Sequence, residues 1–147
     1  MTSNPLIGTW RLISWETRKA DGQISYPLGE DAVGYIMYNQ DGYMFVAISR
    51  PNRQKFAVED LLWGSAQEKA QAASTYVSYC GQYEFHGETV SHHVELSLFP
   101  NWVGVEQERL VELRGNRLTL STHPMLLGGR TTERPSDLGA RVNLRCR

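Results

Sequence analysis

Glycine-containing pairs punctuate this chain at short intervals, and they restrict its folding more than any other feature. Asp21-Gly22 follows GTWRLISWE, Asp41-Gly42 separates YIMY from YMFVAIS, His86-Gly87 separates QYEF from ETVSHHVELSL, and Gly115-Asn116 separates VELR from RLTLST. The runs between them are rich in β-branched and aromatic residues, so the pairs read as hairpin turns. Consecutive hairpins make sequence neighbours into spatial neighbours, which is an antiparallel meander. Closing the meander into a barrel removes its exposed edges. About eight strands enclose either a packed side-chain core or one small ligand. The 147 residues suffice for one domain, residues 1–147, that buries about two-thirds of its unfolded surface. The expected fold is all-β: a single antiparallel up-and-down barrel of about eight strands with one inserted α-helix.

That helix is read at Ser65-Ala66-Gln67-Glu68, where Ser65 as N-cap and Glu68 reaching back make a capping box. Ala66, Ala70, Ala73 and Val77 then share a face, and Gly81 follows as a stop signal. Small side chains let such a helix lie close to the barrel, either as a plug or cover or as a mobile lid. The stretch HPMLLGGRTTERPSDLGA is long for a connection in a compact domain and reads as a rim or entrance loop.

The turns also set registers. With Gly115-Asn116 as a two-residue loop, Arg114 pairs with Arg117, Leu113 with Leu118, Val111 with Leu120 and Arg109 with Thr122. Val105, Gln107, Arg109, Val111 and Leu113 then share the apolar face, while Glu106, Glu108 and Glu112 belong in water. With His86-Gly87 as the loop, Phe85 pairs with Glu88 and Tyr83 with Val90. Tyr83, Val90, His92, Val94, Leu96 and Leu98 then share a face, and His93 lies on the other. If both apolar faces line one barrel, Leu98 lies opposite Val105, and His92, Gln107 and Arg109 become inward polar groups.

An inward arginine is costly unless paired. Arg109 therefore either meets a buried carboxylate or carbonyls and holds the barrel closed, or waits for an anionic or carbonyl-bearing ligand with its fork of donors. His92 is either a hydrogen-bonded core histidine or a functional group. Trp102, beside Pro100, either anchors its loop or gates a cavity. The candidate ligand-binding residues are Arg109, Gln107, His92, Tyr83, Trp102 and Thr122. No catalytic residue is assigned.

Other classes find no support. Net charge is −1 and the arginines are scattered, without the basic patch that nucleic acid requires. The start MTSNPLIGTW has neither a charged nor an apolar leader region, and no apolar run approaches a membrane span. Cys80 and Cys146 form neither a metal pattern nor a disulfide framework, so a reduced, cytoplasmic protein is expected; a Cys80–Cys146 bridge is the alternative. No G-x-S-x-G elbow, phosphate loop, dinucleotide fingerprint or H-E-x-x-H occurs. His92 and His93, adjacent in a strand, point to opposite faces and cannot easily chelate one metal. No metal or cofactor is expected.

Gly8-Thr9-Trp10 resembles the Gly-x-Trp signature of lipocalins and other calycin barrels. The resemblance implies that Trp10 closes the barrel base and is covered by an arginine of the last strand, Arg145 or Arg147 in RVNLRCR. More closely, LIGTWRLISWE, YPLGEDAVGYIMYNQDGYM, YCGQYEF and HHVELSLFPNWVGVEQER are similar to the bacterial and fungal lipocalin-like domain family, from about Leu6 to Thr122. The closing strand departs from that pattern, with Leu144 where an aromatic is usual. The resemblance implies a calycin-type barrel with an internal cavity. Function does not follow from fold. The expected function is binding of a small, largely apolar molecule with a polar or anionic end. The alternative, suggested by more distant lipocalin-like barrels, is a cofactor-independent cyclase or isomerase, for example of Diels–Alder type, acting on a polyketide-like intermediate. Such an enzyme works by cavity shape and hydrogen-bond polarisation. The implied partner is a small apolar or polyketide-like ligand, with neither nucleic acid nor membrane, and with a homodimer left open.

Overall fold

The glycine-bounded runs form strands, in a computed structural model that describes residues 3–18, 21–122 and 140–146. In chain order these are β1 (Gly8–Arg18), β2 (Ile24–Ser25), β3 (Val33–Tyr38), β4 (Tyr43–Ser49), α1 (Ala66–Ser74), β5 (Tyr76–Phe85), β6 (Thr89–Ser97), a 3-10 turn (Pro100–Trp102), β7 (Glu106–Arg114), β8 (Arg117–Ser121) and β9 (Ala140–Cys146). The strands pair antiparallel in the order β2-β1-β3-β4-β5-β6-β7-β8-β9, and β1 also pairs with β9. That pairing closes an eight-stranded barrel, with β2 as a short extra strand on β1. No helix among the described residues is long and apolar enough to cross a membrane.

Alternation decides what lies inside. β4 buries Met44, Val46 and Ile48, β3 buries Ile36 and Tyr38, and β8 buries Leu118 and Leu120. A fully buried side chain of this size stabilises by about 1.5–3 kcal/mol. The tight β3–β4, β5–β6 and β7–β8 hairpins gather at one end with the N-terminal segment, here termed the closed end. The connections β1–β3, β4–β5, β6–β7 and β8–β9 leave from the other end, the mouth. Of the stretch expected as a rim or entrance loop, residues 123–139 lie outside the described residues, and its last residue, Ala140, opens β9.

The closed end is plugged from the N-terminal side. Leu6 is fully buried, and the buried Trp10 donates its indole Nε1–H to Leu6 O at 2.8 Å. The expected arginine cover is not supplied by Arg145. Leu144 points inward, so alternation turns Arg145 outward, where it is exposed between Arg11 and Arg117. Arg147 lies outside the described residues.

The β7–β8 register is the expected one, with Arg114 opposite Arg117, Leu113 opposite Leu118 and Val111 opposite Leu120. The β5–β6 register differs by two residues: Phe85 pairs with Val90 and Tyr83 with His92. His86 N–H bonds Thr89 O at 2.8 Å, so the loop is Gly87-Glu88, and Gly87 takes the positive φ of 92° that a primed hairpin turn requires at its first position. A slip of two preserves the faces, so the inward assignment of Tyr83, Val90, His92 and Val94 stands.

Beyond Val94 it does not stand. Cys80 pairs with Leu96 and Gly81 with Val94, leaving Glu95 as a bulge that shifts the alternation by one. Leu96 and Leu98 are consequently 69% and 42% exposed instead of inward. The bulge needs Gly81: a Cβ there would lie 1.9 Å from His93 O. Nor does Leu98 meet Val105. β6 and β7 part after Val94, whose carbonyl accepts from Gly104 N at 2.8 Å, while Leu98 N stays with Ser78 O of β5 at 2.9 Å.

The capping box forms as expected, with Glu68 N to Ser65 Oγ at 3.0 Å and Ser65 N to Glu68 Oε1 at 2.9 Å. The helix is shorter than the spacing predicts. It ends at Ser74, and Val77 and Gly81 belong to β5. Thr75, Tyr76, Val77 and Tyr79 are β-branched or aromatic, and pairing with β4 (Ser49 with Tyr76, Ile48 with Val77) outweighs helix continuation. Ala66, Ala70 and Ala73 face outward and no residue of α1 is buried, so the helix is not a plug. It is tied down by Arg53, which donates to Ala72 O at 2.8 Å and Thr75 Oγ1 at 3.0 Å.

Candidate functional site

Period-two alternation along β6 sends His92 inward, 1% exposed, and His93 outward, with 39% of its side chain exposed. His92 sits between Tyr83 of β5 and Gln107 of β7 in the ladder. Both ring nitrogens are engaged: Nε2 with the Tyr38 hydroxyl and Nδ1 with the Tyr79 hydroxyl, each at 2.7 Å. Tyr38 rises from the closed end of β3, its ring edge-on to Tyr83 at 4.8 Å. Tyr79 lies nearer the mouth, and its ring meets Trp102 edge-on at 5.7 Å. Trp102 in turn meets Phe99 edge-on at 5.4 Å. The result is a polar column, Tyr38–His92–Tyr79, capped at the mouth by aromatic edges.

Gln107 and Arg109 join this column from β7. Gln107 is buried and its Oε1 accepts from Arg109 Nη2 at 2.7 Å, while Arg109 Nη1 donates to Glu108 O at 3.0 Å. Arg109 is half-buried, and among the described residues no carboxylate pairs with it. Its charge is felt by the column. Burial, then Arg109, then His93 hold His92 down to about 3. Burial pushes Tyr79 up to about 12, against an opposing pull from Arg109. Burial, followed by Tyr79 and Tyr83, raises Tyr38 well above the usual phenol range. At neutral pH the column is therefore an uncharged hydroxyl–imidazole–hydroxyl chain beside one fixed cation. Such a set donates hydrogen bonds and positive potential to an oxygen-bearing group.

Tyr83 and Thr122, also candidates, spend their hydroxyls on the barrel itself. The Tyr83 hydroxyl donates to Asn39 O at 2.8 Å and accepts from Asn4 Nδ2 at 3.0 Å, at the closed end. Thr122 uses its hydroxyl on Ala140 N at 2.8 Å and its amide on Ala140 O at 3.0 Å, joining β8 to β9. Trp102 lies at the mouth, against Tyr79. Sequence reasoning missed Tyr38 and Tyr79. A signal for both was available: Tyr38 alternates with Ile36, and Tyr79 with Tyr83, on the inward side of their strands. Assigning Val77 to the helix hid the second. Among the described residues no group of three or more His, Cys, Asp or Glu side chains is arranged to hold a metal ion. No disulfide joins Cys80 to Cys146.

The barrel, its indole-plugged base and its Gly-Thr-Trp first strand agree with a family model for a lipocalin-like domain that matches residues 7–138. The chain belongs to the lipocalin-like domain family. This lipocalin-like chain is 35% identical over 95 residues to the 4′-hydroxy-3′-methoxypropiophenone carrier protein of Aspergillus oryzae (strain ATCC 42149 / RIB 40). The match covers 58% of this chain and 86% of that relative. Among solved structures it resembles the lipoprotein YedD of Klebsiella pneumoniae subsp. pneumoniae MGH 78578, with 10% identity, 99% and 74% of the two chains covered and a TM-score of 0.42. It also resembles a single-site mutant of the fluorescent protein UnaG, with 14% identity, 95% and 94% covered and a TM-score of 0.40.

Proposed function

We propose that this lipocalin-like protein is a carrier: it holds a small, largely apolar molecule in the barrel, with the ligand's polar or anionic end at Arg109, Gln107 and the His92 column. The observation that carries this reading is Arg109, a half-buried cation on the inward side of β7 whose partners are a neutral amide and a backbone carbonyl. An arginine kept only to close the barrel is best satisfied by a carboxylate. This one retains unspent positive potential beside two tyrosines and a neutral imidazole, with Trp102 and Phe99 as aromatic surface at the mouth. The Aspergillus relative supports the same class, since it is named as a carrier of an aryl ketone with a phenolic hydroxyl. Such a ligand pairs an apolar ring with oxygen acceptors.

Thermal melts test the reading. Aryl ketones such as 4′-hydroxy-3′-methoxypropiophenone, together with apolar carboxylic acids, should raise the melting temperature. A ligand at a hundred times its Kd adds about 2.7 kcal/mol to native stability. The ligand should be recovered chemically unchanged; conversion would support the cyclase or isomerase instead. No shift with any member of the panel at saturating concentration would overturn the carrier.

A further inference from the structure

The Tyr38–His92–Tyr79 column contains one more proton than it can use internally. A neutral imidazole has one N–H and one lone pair. With a hydroxyl at each nitrogen, one tyrosine donates to the lone pair and the other accepts from the N–H. The accepting tyrosine keeps its own O–H proton, and that proton has no partner in the column.

Burial decides which tyrosine holds it. Tyr38 is 1% exposed, and His92 Nε2 is its hydroxyl's partner among the described residues. If Tyr38 were the acceptor, its O–H would be a buried donor with nothing to bond, a penalty of about 1–3 kcal/mol. Tyr79 stands nearer the mouth and is less buried than Tyr38, so the spare proton is better tolerated there. Tyr38 therefore donates to Nε2, Nδ1–H donates to Tyr79 Oη, and the Tyr79 O–H is left outward.

We infer that Tyr79 is the donor that receives the ligand's oxygen, and that Tyr38, acting through His92, is the positioning residue that leaves Tyr79 with that proton. This rests on the carrier reading and narrows its ligand class. Tyr79 Oη already accepts from Nδ1–H, and Gln107 Oε1 already accepts from Arg109. The cation and the spare O–H make the site donor-rich, so it favours an acceptor-only oxygen, a ketone carbonyl or a deprotonated oxyanion, over an alcohol that must also find an acceptor for its proton.

Two measurements test it. The first needs no ligand: nitrogen-15 correlation spectra of the native protein should show His92 as the Nδ1–H tautomer, and Tyr38→Phe should move the Nε2 resonance toward that of a lone pair with no donor while Nδ1 stays protonated. The second uses three molecules of one skeleton, propiophenone, 1-phenylpropan-1-ol and propylbenzene. Native protein should bind the ketone at least about tenfold tighter than the other two, and Tyr79→Phe should reduce that preference to within about threefold while still binding propylbenzene as the native protein does. A native His92 that is Nε2–H or doubly protonated, or a Tyr79→Phe protein that keeps the full ketone preference, overturns the inference and leaves the carrier standing. Failure of all three molecules to bind the native protein overturns the carrier and this assignment with it.

Discussion

His92 and Gln107 face each other across the β6–β7 ladder, both buried, on the inner surface of a barrel whose other buried residues are almost all apolar. Two opposed hydrogen-bonding side chains in such a place are stable only if each is satisfied. His92 is satisfied by two tyrosines and Gln107 by Arg109. The polar set thus extends across β3, β5, β6 and β7, and it depends on both the strand pairing and the partners that hold it.

The bulge at Glu95 sets where β6 stops lining the barrel, and Gly81 makes room for it. Gly81→Ala drives a methyl group into the His93 carbonyl, so either the bulge or the β5–β6 pairing must shift. Urea denaturation should show a loss at or above the top of the ~1–3 kcal/mol range for overpacking. A loss below about 0.5 kcal/mol, the level of an ordinary surface substitution, would show that the two strands do not approach this closely.

Arg109→Met separates a binding cation from a structural one. Among the described residues no carboxylate is stranded by the change, and the bonds lost go to an amide oxygen and a backbone carbonyl. Without ligand, stability should change by no more than about 1.5 kcal/mol. A loss of about 3–5 kcal/mol in the same melts would mean a broken buried ion pair and would contradict the geometry.

How much of the barrel and its site was readable in the sequence follows from what alternation records. Inward and outward faces have a period of two, so the β5–β6 slip of two left His92 inward and His93 outward. The Gly115-Asn116 turn fixed its register outright, and Ser65 and Glu68 formed their cap. A bulge leaves no such mark: Gly81 looks the same as a helix stop signal or as room for Glu95, and only the strand beside it decides. Tyr38 and Tyr79 are far apart in sequence and meet only through His92, so the column became visible when the strands were placed side by side.

Acid stability should report the buried imidazole. His92 titrates at about 3 in the folded barrel, against about 6.5 in an unfolded chain. Between those values the unfolded chain holds the extra proton, so the stabilisation is complete above about pH 6.5 and is lost progressively as pH falls toward 3. The slope approaches ~1.4 kcal/mol per pH unit. His92→Phe lowers absolute stability by orphaning the Tyr38 hydroxyl and removing the bond to Tyr79 Oη, yet its profile between about pH 6.5 and 4.5 should be flatter than the native one by up to that slope. Glu68, held below the usual carboxylate range by the Ser65 and Ala57 amides, acts alike in both proteins and cancels. Parallel profiles would show that His92 is not held neutral by its surroundings.

An apolar, oxygen-bearing molecule lying in the barrel with its polar end at Arg109 should lose affinity when that cation is removed. Isothermal titration of native protein and Arg109→Met with 4′-hydroxy-3′-methoxypropiophenone measures this most directly. One ligand per native chain is expected, with affinity at least about tenfold weaker in the variant, the loss of one charge-assisted hydrogen bond. Equal affinities in the two proteins, or no binding heat to the native protein at any accessible concentration, would contradict it.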